Sequence, residues 1–443
     1  MKENEINIES YNFIGKMLSF SEAPTPKGKW NGSSDHLQYV DLSDNFINSP
    51  IIERQYMPEY SETKIYISID GIKYGFIDSE YVNFYKFIYK ISLWNSLYKT
   101  VSIEYLKEKT LYWIIDIYKN KKTKSDLLPF IESCLNTDIK KIKYYFPILN
   151  LDIEKSFKIG DVEFTFFTKE FFDEFWDKKS KEMNTSEESF NSLFRKYQGQ
   201  VFVLSEVEAE ESKAQELAYD NVCLATDIIK LLSPTVYFPN EKCNIELESR
   251  LPFSFEHLSI ESDKKFDFKI SVQTNRGTFV IKNEMIEGIR ENMLKLFGYL
   301  LTKNEKSDLE RKIISSIQFY SRCMMENDLH LRVSHLIMIT ESIFLLDEET
   351  YKMENKCKKR MCQLIYRNDK KLRQSLYDCL TDMYEIRHKM THKSIKNFIE
   401  IEKLRLLQTS IVDVFLILLD NVKGLKNKEA LILNIDEEIK ANT

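Results

Sequence analysis

The segment KLRQSLYDCLTDMYEIRHKMTHKS, residues 371–394, combines a helical pattern with a cluster of cationic side chains. Apolar residues recur at three- and four-residue spacing as far as Ile386, which predicts an amphipathic helix. The last ten residues, EIRHKMTHKS, hold one arginine, two lysines and two of the six histidines in the 443-residue chain. Such a cluster indicates either a site that handles phosphate or an ordinary solvated helix end.

The same helical periodicity runs through the whole C-terminal part of the chain. Few prolines or glycines interrupt it, and each apolar stripe extends over three or more helical turns. These stripes predict an all-α bundle over residues 284–443, a length typical of one domain. The periodic segments are 285–301, 308–325, 329–346, 371–387 and 396–419.

The region before this bundle has a mixed pattern. Residues 1–58 concentrate proline, glycine and serine, which predicts an irregular N-terminal arm with Trp30 as an anchor. Residues 59–283 predict a mixed β/α domain, because aromatic and β-branched strand patterns alternate there with helical ones. The predicted fold class is therefore α+β, a β-containing N-terminal region followed by an all-α bundle. The strand patterns lie at 63–77, 159–167 and 266–281, and the clearest helical pattern lies at 208–232.

The charge is unevenly distributed along the chain. The formal net charge is −6, which favours no general binding to nucleic acid. Between Lys352 and Lys396, however, thirteen Lys or Arg stand against five Asp or Glu, a balance of 13 − 5 = +8. The rest of the chain then carries −6 − 8 = −14. This basic block, residues 352–396, predicts a local surface that contacts phosphate.

The cysteines and the apolar segments indicate a cytoplasmic protein. Seven cysteines without a CxxC pair predict reduced, partly buried thiols rather than a zinc site or a disulfide framework, and no cofactor is expected. The first residues lack the apolar stretch of a signal peptide. The most apolar run, residues 411–419, is interrupted by Asp413 and is too short to cross a bilayer.

The spacing of Arg387 and His392 raises a question of geometry. On an unbroken helix, side chains five residues apart point about 140° away from each other. Ser394 is a favourable N-cap, so the sequence predicts a second helix there and places His392 at a break after Met390 or Thr391. Such a break would let the imidazole approach the guanidinium. Arginine would then hold one phosphate while histidine carries a proton near neutral pH.

These two side chains fit the cleavage of RNA without a metal. RNA supplies its own nucleophile, the 2′-hydroxyl, so cleavage needs a group that moves a proton and a cation beside the phosphate. His392 would move the proton and Arg387 would hold the phosphate. One histidine is fewer than the usual pair of acid and base, and a two-fold dimer would bring two copies of the motif to one cleft.

The arrangement of these residues resembles a known family. Arg387 and His392, preceded by Tyr384, are similar to the R-x4-6-H signature of HEPN domains. The upstream segment 329–346 resembles the first HEPN helix, with Glu341 at its acidic position. The closest subgroup is the ApeA-like HEPN family. Lys393 departs from that pattern, since the subgroup often has glycine after the histidine.

The resemblance covers roughly residues 285–425 and implies both an activity and a role. It implies a helical homodimer, a hydrolase that acts as a metal-independent endoribonuclease, and a toxin that acts in antiviral defence by abortive infection. The mechanism through the 2′-hydroxyl itself predicts 2′,3′-cyclic phosphate ends. Several members of the family cut tRNA, and the N-terminal region would then respond to a phage-derived trigger or regulator. The site residues expected are catalytic Arg387 and His392, supporting His388 and Tyr384, and RNA-binding Lys389, Lys393 and Lys396.

Other interpretations stay open at the level of sequence. In the first alternative, the domain is a non-catalytic HEPN module that dimerises and binds RNA or nucleotide. The chain could equally be a structural scaffold whose acidic N-terminal region binds a protein. A histidine at a helix end is often only a partner of the helix dipole. His335, among Leu331, Met338 and Ile339, is expected to be a core or interface residue.

Overall fold

The computed structural model divides the chain into two compact units, residues 1–142 with 207–217 and residues 143–206 with 218–443. This division does not follow the predicted limits at residues 58 and 283. The residues that the structure describes are 3–21, 64–69, 72–121, 125–168, 195–250, 254–260, 266–271, 278–287, 289–303, 305–393, 395–421 and 427–441.

In its described residues, the first unit packs four complete helices and a small sheet around an aromatic core. The sheet is antiparallel in the order β1-β3-β2, and Lys64 lies opposite Ile77 in its hairpin. The tilted rings of Phe76 and Phe84 contact each other at 4.9 Å between centroids, and both are buried. The elements are α1 (Glu3–Ile14), β1 (Leu18–Ser21), β2 (Lys64–Ile69), β3 (Ile72–Ile77), α2 (Asp78–Leu93), α3 (Ile103–Asn120) and α4 (Leu127–Asp138).

The N-terminal residues correct one prediction and the hairpin confirms another. The predicted irregular arm begins with a regular helix, because Ile6 and Phe13, seven residues apart on α1, both enter the apolar core. Trp30 lies outside the described residues. The hairpin predicted at 63–77 is confirmed by β2 and β3.

The β part of the second unit contains a five-stranded sheet in the order β6-β7-β8-β4-β9. Two further pairs join β10 to β11 in antiparallel fashion and β5 to β12 in parallel. The strands predicted within 159–167 and 266–281 are confirmed. The elements are β4 (Lys140–Leu149), β5 (Leu151–Ile153), β6 (Phe157–Ile159), β7 (Val162–Phe166), β8 (Val201–Ala209), β9 (Glu246–Leu247), β10 (Ser254–Ile260), β11 (Phe266–Ser271) and β12 (Phe279–Ile281).

The helical part of the second unit follows the predicted stripes closely. Two helices were not predicted, Met353–Ile365 and Lys428–Ala441. Ser307 and Glu310 form a capping box at the start of Asp308–Met324, which satisfies two backbone amides there. The helices are α5 (Glu211–Leu231), α6 (Asn283–Glu287), α7 (Ile289–Thr302), α8 (Asp308–Met324), α9 (Leu329–Phe344), α10 (Met353–Ile365), α11 (Lys370–Lys393), α12 (Ile401–Asn421) and α13 (Lys428–Ala441).

A close backbone approach fixes the β6–β7 hairpin against α7. Gly160 has a φ of +59°, and a Cβ added there would lie 2.6 Å from the carbonyl oxygen of Gly298. A Cβ at Gly298 would lie equally close to the amide nitrogen of Gly160. Only glycine fits at both positions, so this contact sets how closely hairpin and helix pack.

One set of buried charges in the second unit is compensated by paired side chains. Lys230 donates to Glu246 at 2.6 Å, and Arg250 lies 3.2 Å from both Glu246 and Asp227. Ser321 of α8 also donates to Asp227, at 2.6 Å. Burial raises the pKa of Asp227 despite these cations. The group ties α5, β9 and α8 together through paired charges, which a buried site requires.

The coarse predictions from the sequence hold. The described residues combine a large helical part with a smaller β part, as the α+β class requires. The apolar run at 411–419 lies in α12, where most of its side chains are buried in the core. All seven cysteines are free, and all but the half-buried Cys134 are buried. None of the described helices has the length and apolarity needed to cross a membrane.

Candidate functional site

The helix that carries the motif is longer than the sequence predicted. α11 begins at Lys370 as expected but continues to Lys393, so His392 lies in its last turn and not at a break. The next helix, α12, begins only at Ile401 rather than at the predicted cap Ser394. Arg387 and His392 therefore diverge by about 140° around α11. Within the described part of the chain, no hydrogen bond or ion pair joins them.

Arg387 is held by a carboxylate from a neighbouring helix. Its Nη1 donates to Glu341 Oε1 of α9 at 2.6 Å. The Arg387 side chain is 29% exposed and the Glu341 side chain 24%, so the pair lies at the edge of the bundle and within reach of solvent. The second guanidinium nitrogen has no such carboxylate among the described residues. This geometry fixes the guanidinium and leaves part of its donor fork free.

Tyr384 lies behind this ion pair in the core. It precedes Arg387 by almost one turn, is buried, and its hydroxyl has no nitrogen or oxygen partner among the described residues. Burial raises the pKa of Tyr384, and the neighbouring thiol of Cys357 raises it further. Burial also raises the pKa of the Cys357 thiol to about 12. Tyr384 is thus a neutral packing residue that supports the helix at Arg387.

The two histidines of the motif lie side by side on the exposed face of α11. His388 and His392 are four residues apart, and their ring centroids are 4.6 Å apart. Both side chains are exposed. His392 therefore contacts His388 rather than Arg387, and its imidazole is accessible to a ligand from solvent.

The chain after α11 turns back against the start of α9. The amide of Ile395 donates to the carbonyl of Lys389 at 3.2 Å, and Nε2 of His330 contacts the carbonyl oxygen of Asn397 at 2.7 Å. Lys396 forms an ion pair with Asp328, which also caps α9 by accepting from the amide of His330 at 2.9 Å. These contacts place Lys396 at the same end of the bundle as the motif.

The three predicted RNA-binding lysines differ in their partners. Lys389 pairs with Glu385 at 2.5 Å, and Lys396 pairs with Asp328. Lys393 is exposed and has no carboxylate within 4 Å in the described ranges. Lys393 is accordingly the lysine of this group whose charge is most available to a phosphate.

The basic block of residues 352–396 is not one continuous cationic surface. Seven of its thirteen cations form ion pairs within the chain, and Arg360 and Lys358 are buried. Ion pairs of this kind remove charge from the surface that the sequence predicted. The seven are Lys356, Lys358, Arg360, Arg367, Arg387, Lys389 and Lys396.

The sequence singled out Arg387, His388, His392 and Glu341. It did not predict which of these side chains pair. The partners Glu385 and Asp328 were not predicted, and the sequence signal for the first is its i,i+4 spacing from Lys389. Asp328 is recognisable only as the N-cap of α9. Within the described ranges, no three His, Cys, Asp or Glu side chains converge as a metal site would require.

Comparison of the chain with models of known protein families, with curated proteins and with solved structures finds no match. Function is therefore inferred from the motif, its geometry and its charges.

Proposed function

We propose that the chain is a metal-independent RNA endonuclease of HEPN type, in which Arg387 and His392 act on the scissile phosphate. The observation that carries this proposal is the end of α11, where a fixed, half-exposed guanidinium and an exposed imidazole lie within two helical turns. The resemblance of this motif to the HEPN signature supports it. Arginine at this place neutralises a phosphate, and histidine transfers protons near neutral pH.

The reaction needs no nucleophile from the protein. A proton leaves the 2′-hydroxyl of the RNA, and the oxygen attacks the adjacent phosphorus. The new O2′–P bond forms as the P–O5′ bond breaks, and the departing 5′-oxygen takes up a proton. The products are a 2′,3′-cyclic phosphate and a 5′-hydroxyl. His392 would carry one of these protons, and Arg387 would stabilise the charge on the phosphate oxygens.

The divergence of Arg387 and His392 on one helix favours a site completed by a second copy of the chain. Apolar side chains at the same end of the bundle are exposed, as expected for a surface that another protomer covers. Leu331 and Met338 lie seven residues apart on one face of α9, and Phe398 of the returning segment is 86% exposed. We propose a two-fold dimer that brings Arg387 of one protomer towards His392 of its partner.

The biological role follows from the resemblance alone. We propose a cytoplasmic anti-phage toxin that cuts cellular RNA such as tRNA, with the N-terminal region as the element that responds to a phage-derived trigger. A nuclease of this kind requires restraint in the uninfected cell, and a separate regulatory region would supply it.

Incubation of total RNA with the purified chain in EDTA tests the activity. Wild-type protein should cut RNA under chelation and leave 2′,3′-cyclic ends, which resist labelling at the 3′ end until the ring is opened and the resulting phosphate is removed. His392→Ala should bind the same RNA without cutting it. Loss of wild-type cleavage in EDTA, with recovery in magnesium or manganese, would contradict the metal-independent mechanism.

Mixing two inactive variants tests the composite site. Arg387→Ala and His392→Ala should each be inactive alone, but their mixed dimer holds one cleft in which both wild-type residues meet. Cleavage should therefore return when the two variants are combined. If each protomer carried a complete site, mixing would restore nothing.

One observation favours a second function, that of a non-catalytic HEPN module that binds RNA or nucleotide as a dimer. Glu341 already neutralises Arg387 within the chain, which weakens the attraction of that arginine for phosphate. This alternative predicts RNA binding by wild-type protein without any turnover. A purely structural scaffold predicts instead that substitution of Lys393 leaves RNA affinity unchanged.

A further inference from the structure

A second cationic site lies at the opposite end of α11 from the motif. A cleft of about 410 Å³ opens between α10, α11 and α13. Of the described residues that line it, three are cations and none is acidic. The lining residues are Lys359, Cys362, Gln363, Lys370, Arg373, Gln374, Tyr377 and Ile439.

The cations of this cleft have no carboxylate partner among the described residues. Lys359 and Lys370 are exposed, and in the described part of the chain neither has a carboxylate within 4 Å. Arg373 is held by uncharged partners, since it donates to Oε1 of Gln363 and, at 3.2 Å, to the carbonyl oxygen of Arg367. Three positive charges thus share one concave surface without internal compensation, which favours the binding of an anion.

The guanidinium of Arg373 is oriented in advance. Gln363 is buried, and its Nε2 donates to Glu438 of α13 at 3.3 Å, which fixes the amide that receives Arg373. A planar guanidinium in a fixed orientation binds the oxygens of a phosphate through parallel hydrogen bonds. The amides at the start of α11 do not contribute, because Asp369 already accepts from those of Lys371 and Leu372.

The surroundings favour a compact ligand over a long polyanion. Glu438 and Asp378 flank the cleft, the former against Gln363 and the latter as acceptor from Gln374 at 2.7 Å. A nucleic-acid strand running through the cleft would meet these carboxylates. The volume also falls within the usual range of small-molecule sites, about 300–1,000 Å³. Tyr377, Cys362 and Ile439 offer a less polar wall for the rest of such a molecule.

We propose that this cleft binds a small phosphorylated molecule of about nucleotide size, with its phosphates on Lys359, Lys370 and Arg373. This binding is separate from RNA cleavage and does not depend on it. The cleft and the motif lie on one helix, and Arg387 follows Arg373 by fourteen positions, a rise of about 21 Å.

Calorimetric titration of the full chain with pyrophosphate and with adenosine diphosphate tests the proposal. Wild-type protein should bind at least one of the two in a saturable manner, and more weakly as salt is raised. The double variant Lys359→Gln/Lys370→Gln should bind roughly ten- to a hundredfold more weakly, since it loses two hydrogen bonds to a charged ligand. Arg373→Lys, which keeps the charge and loses the planar fork, should also bind more weakly.

The matched control is Lys352→Gln/Lys371→Gln, which removes the same charge from residues at α10 and α11 that do not line the cleft. This variant should bind like wild type. Both probes are titrated in the absence of RNA, so the outcome does not depend on the nuclease activity. Absence of saturable wild-type binding, or equal losses in cleft and control variants, would overturn the proposal. The proposal would also be overturned if the cleft variants lost affinity only for an RNA oligonucleotide without terminal phosphates, because the cleft would then be an RNA-binding surface.

Discussion

The two ends of α11 each present an arginine near the surface, but in opposite electrostatic settings. Arg373 is fixed by an amide oxygen and a carbonyl oxygen, and no carboxylate among the described residues forms an ion pair with it. Arg387 is fixed by the carboxylate of Glu341 and is largely neutralised before any ligand arrives. An uncompensated cation suits tight ground-state binding, whereas a carboxylate-paired one suits orientation at a site where charge develops during reaction. The same residue type therefore supports different chemistry at each end.

Replacement of His392 should have the largest effect at the motif end. His392→Ala removes the proposed proton carrier and leaves every ion pair intact, so turnover should fall by about 10²–10⁴ while RNA affinity changes little. Single-turnover cleavage beside a binding titration measures both quantities. Thr391→Ala, at the neighbouring exposed position, is the control and should cut normally. If His392→Ala cuts normally as well, the histidine is structural and the nuclease proposal fails.

The Arg387–Glu341 pair should show the next largest effect. Arg387→Lys keeps the charge but loses the planar donor fork, so turnover should fall by about 10². Glu341→Gln keeps an acceptor for Arg387 and removes the neutralising charge. We expect it to bind RNA more tightly and to lose only a fewfold in rate. If Arg387→Lys and Glu341→Gln behaved alike in cleavage and binding assays, the orienting role of Glu341 would not differ from its role in compensating charge.

A third arginine differs from Arg373 and Arg387 because carboxylates pair with both sides of its guanidinium. Arg360 of α10 contacts Glu349 at 2.6 Å and Asp436 of α13 at 2.7 Å, and it thereby joins two walls of the cleft. Hydrogen bonding from Arg360 lowers the pKa of Glu349 to about 2 from its ordinary value of 4.5. The carboxylate thus stabilises the fold above pH 4.5, and this contribution disappears as the pH falls towards 2.

Glu349→Gln should accordingly lower the free energy of unfolding by about 2 kcal/mol at pH 7. The difference from wild type should shrink as the pH is lowered from about 5 to about 3. Urea denaturation at a series of pH values measures it, with Glu348→Gln at the exposed neighbour as a control. A difference that stays constant over this range would show that the ion pair contributes nothing to stability.

The sequence predicted the helices of the second unit well because their apolar stripes are long and regular. It did not predict α10, because the cations of KCKKR interrupt the apolar pattern of the buried face. Cys357, Met361 and Leu364 form that face. Lys358 and Arg360 in this helix are buried and form internal ion pairs, so residue counts overstated the basic surface. The end of α11 was missed for a related reason. No proline or glycine stops the helix near Met390, and Ser394 alone does not decide where the next one begins.

The pairing of side chains across helices could not be predicted from one sequence. Glu341 and Arg387 are 46 residues apart, and Asp328 and Lys396 are 68 apart. Such contacts depend on how the helices pack, which periodicity alone does not determine. The cleft at α11 was missed for the same reason, since Ile439 of α13 joins it only in the folded bundle.

The smallest expected effect distinguishes paired from unpaired lysines at the motif end. For single-stranded RNA, the slope of log affinity against log salt changes by about 0.7 for each phosphate that the protein no longer neutralises. Lys393→Gln should flatten the slope by about this amount and weaken affinity a fewfold, because Lys393 has no carboxylate partner among the described residues. Lys389→Gln should change the slope by less than half as much, since Glu385 already compensates Lys389.

Glu385→Gln is the matched test, because it frees Lys389 and should steepen the slope. RNA affinity at several salt concentrations measures all three, and identical slopes for Lys393→Gln and Lys389→Gln would mean that internal pairing does not govern which lysines bind RNA.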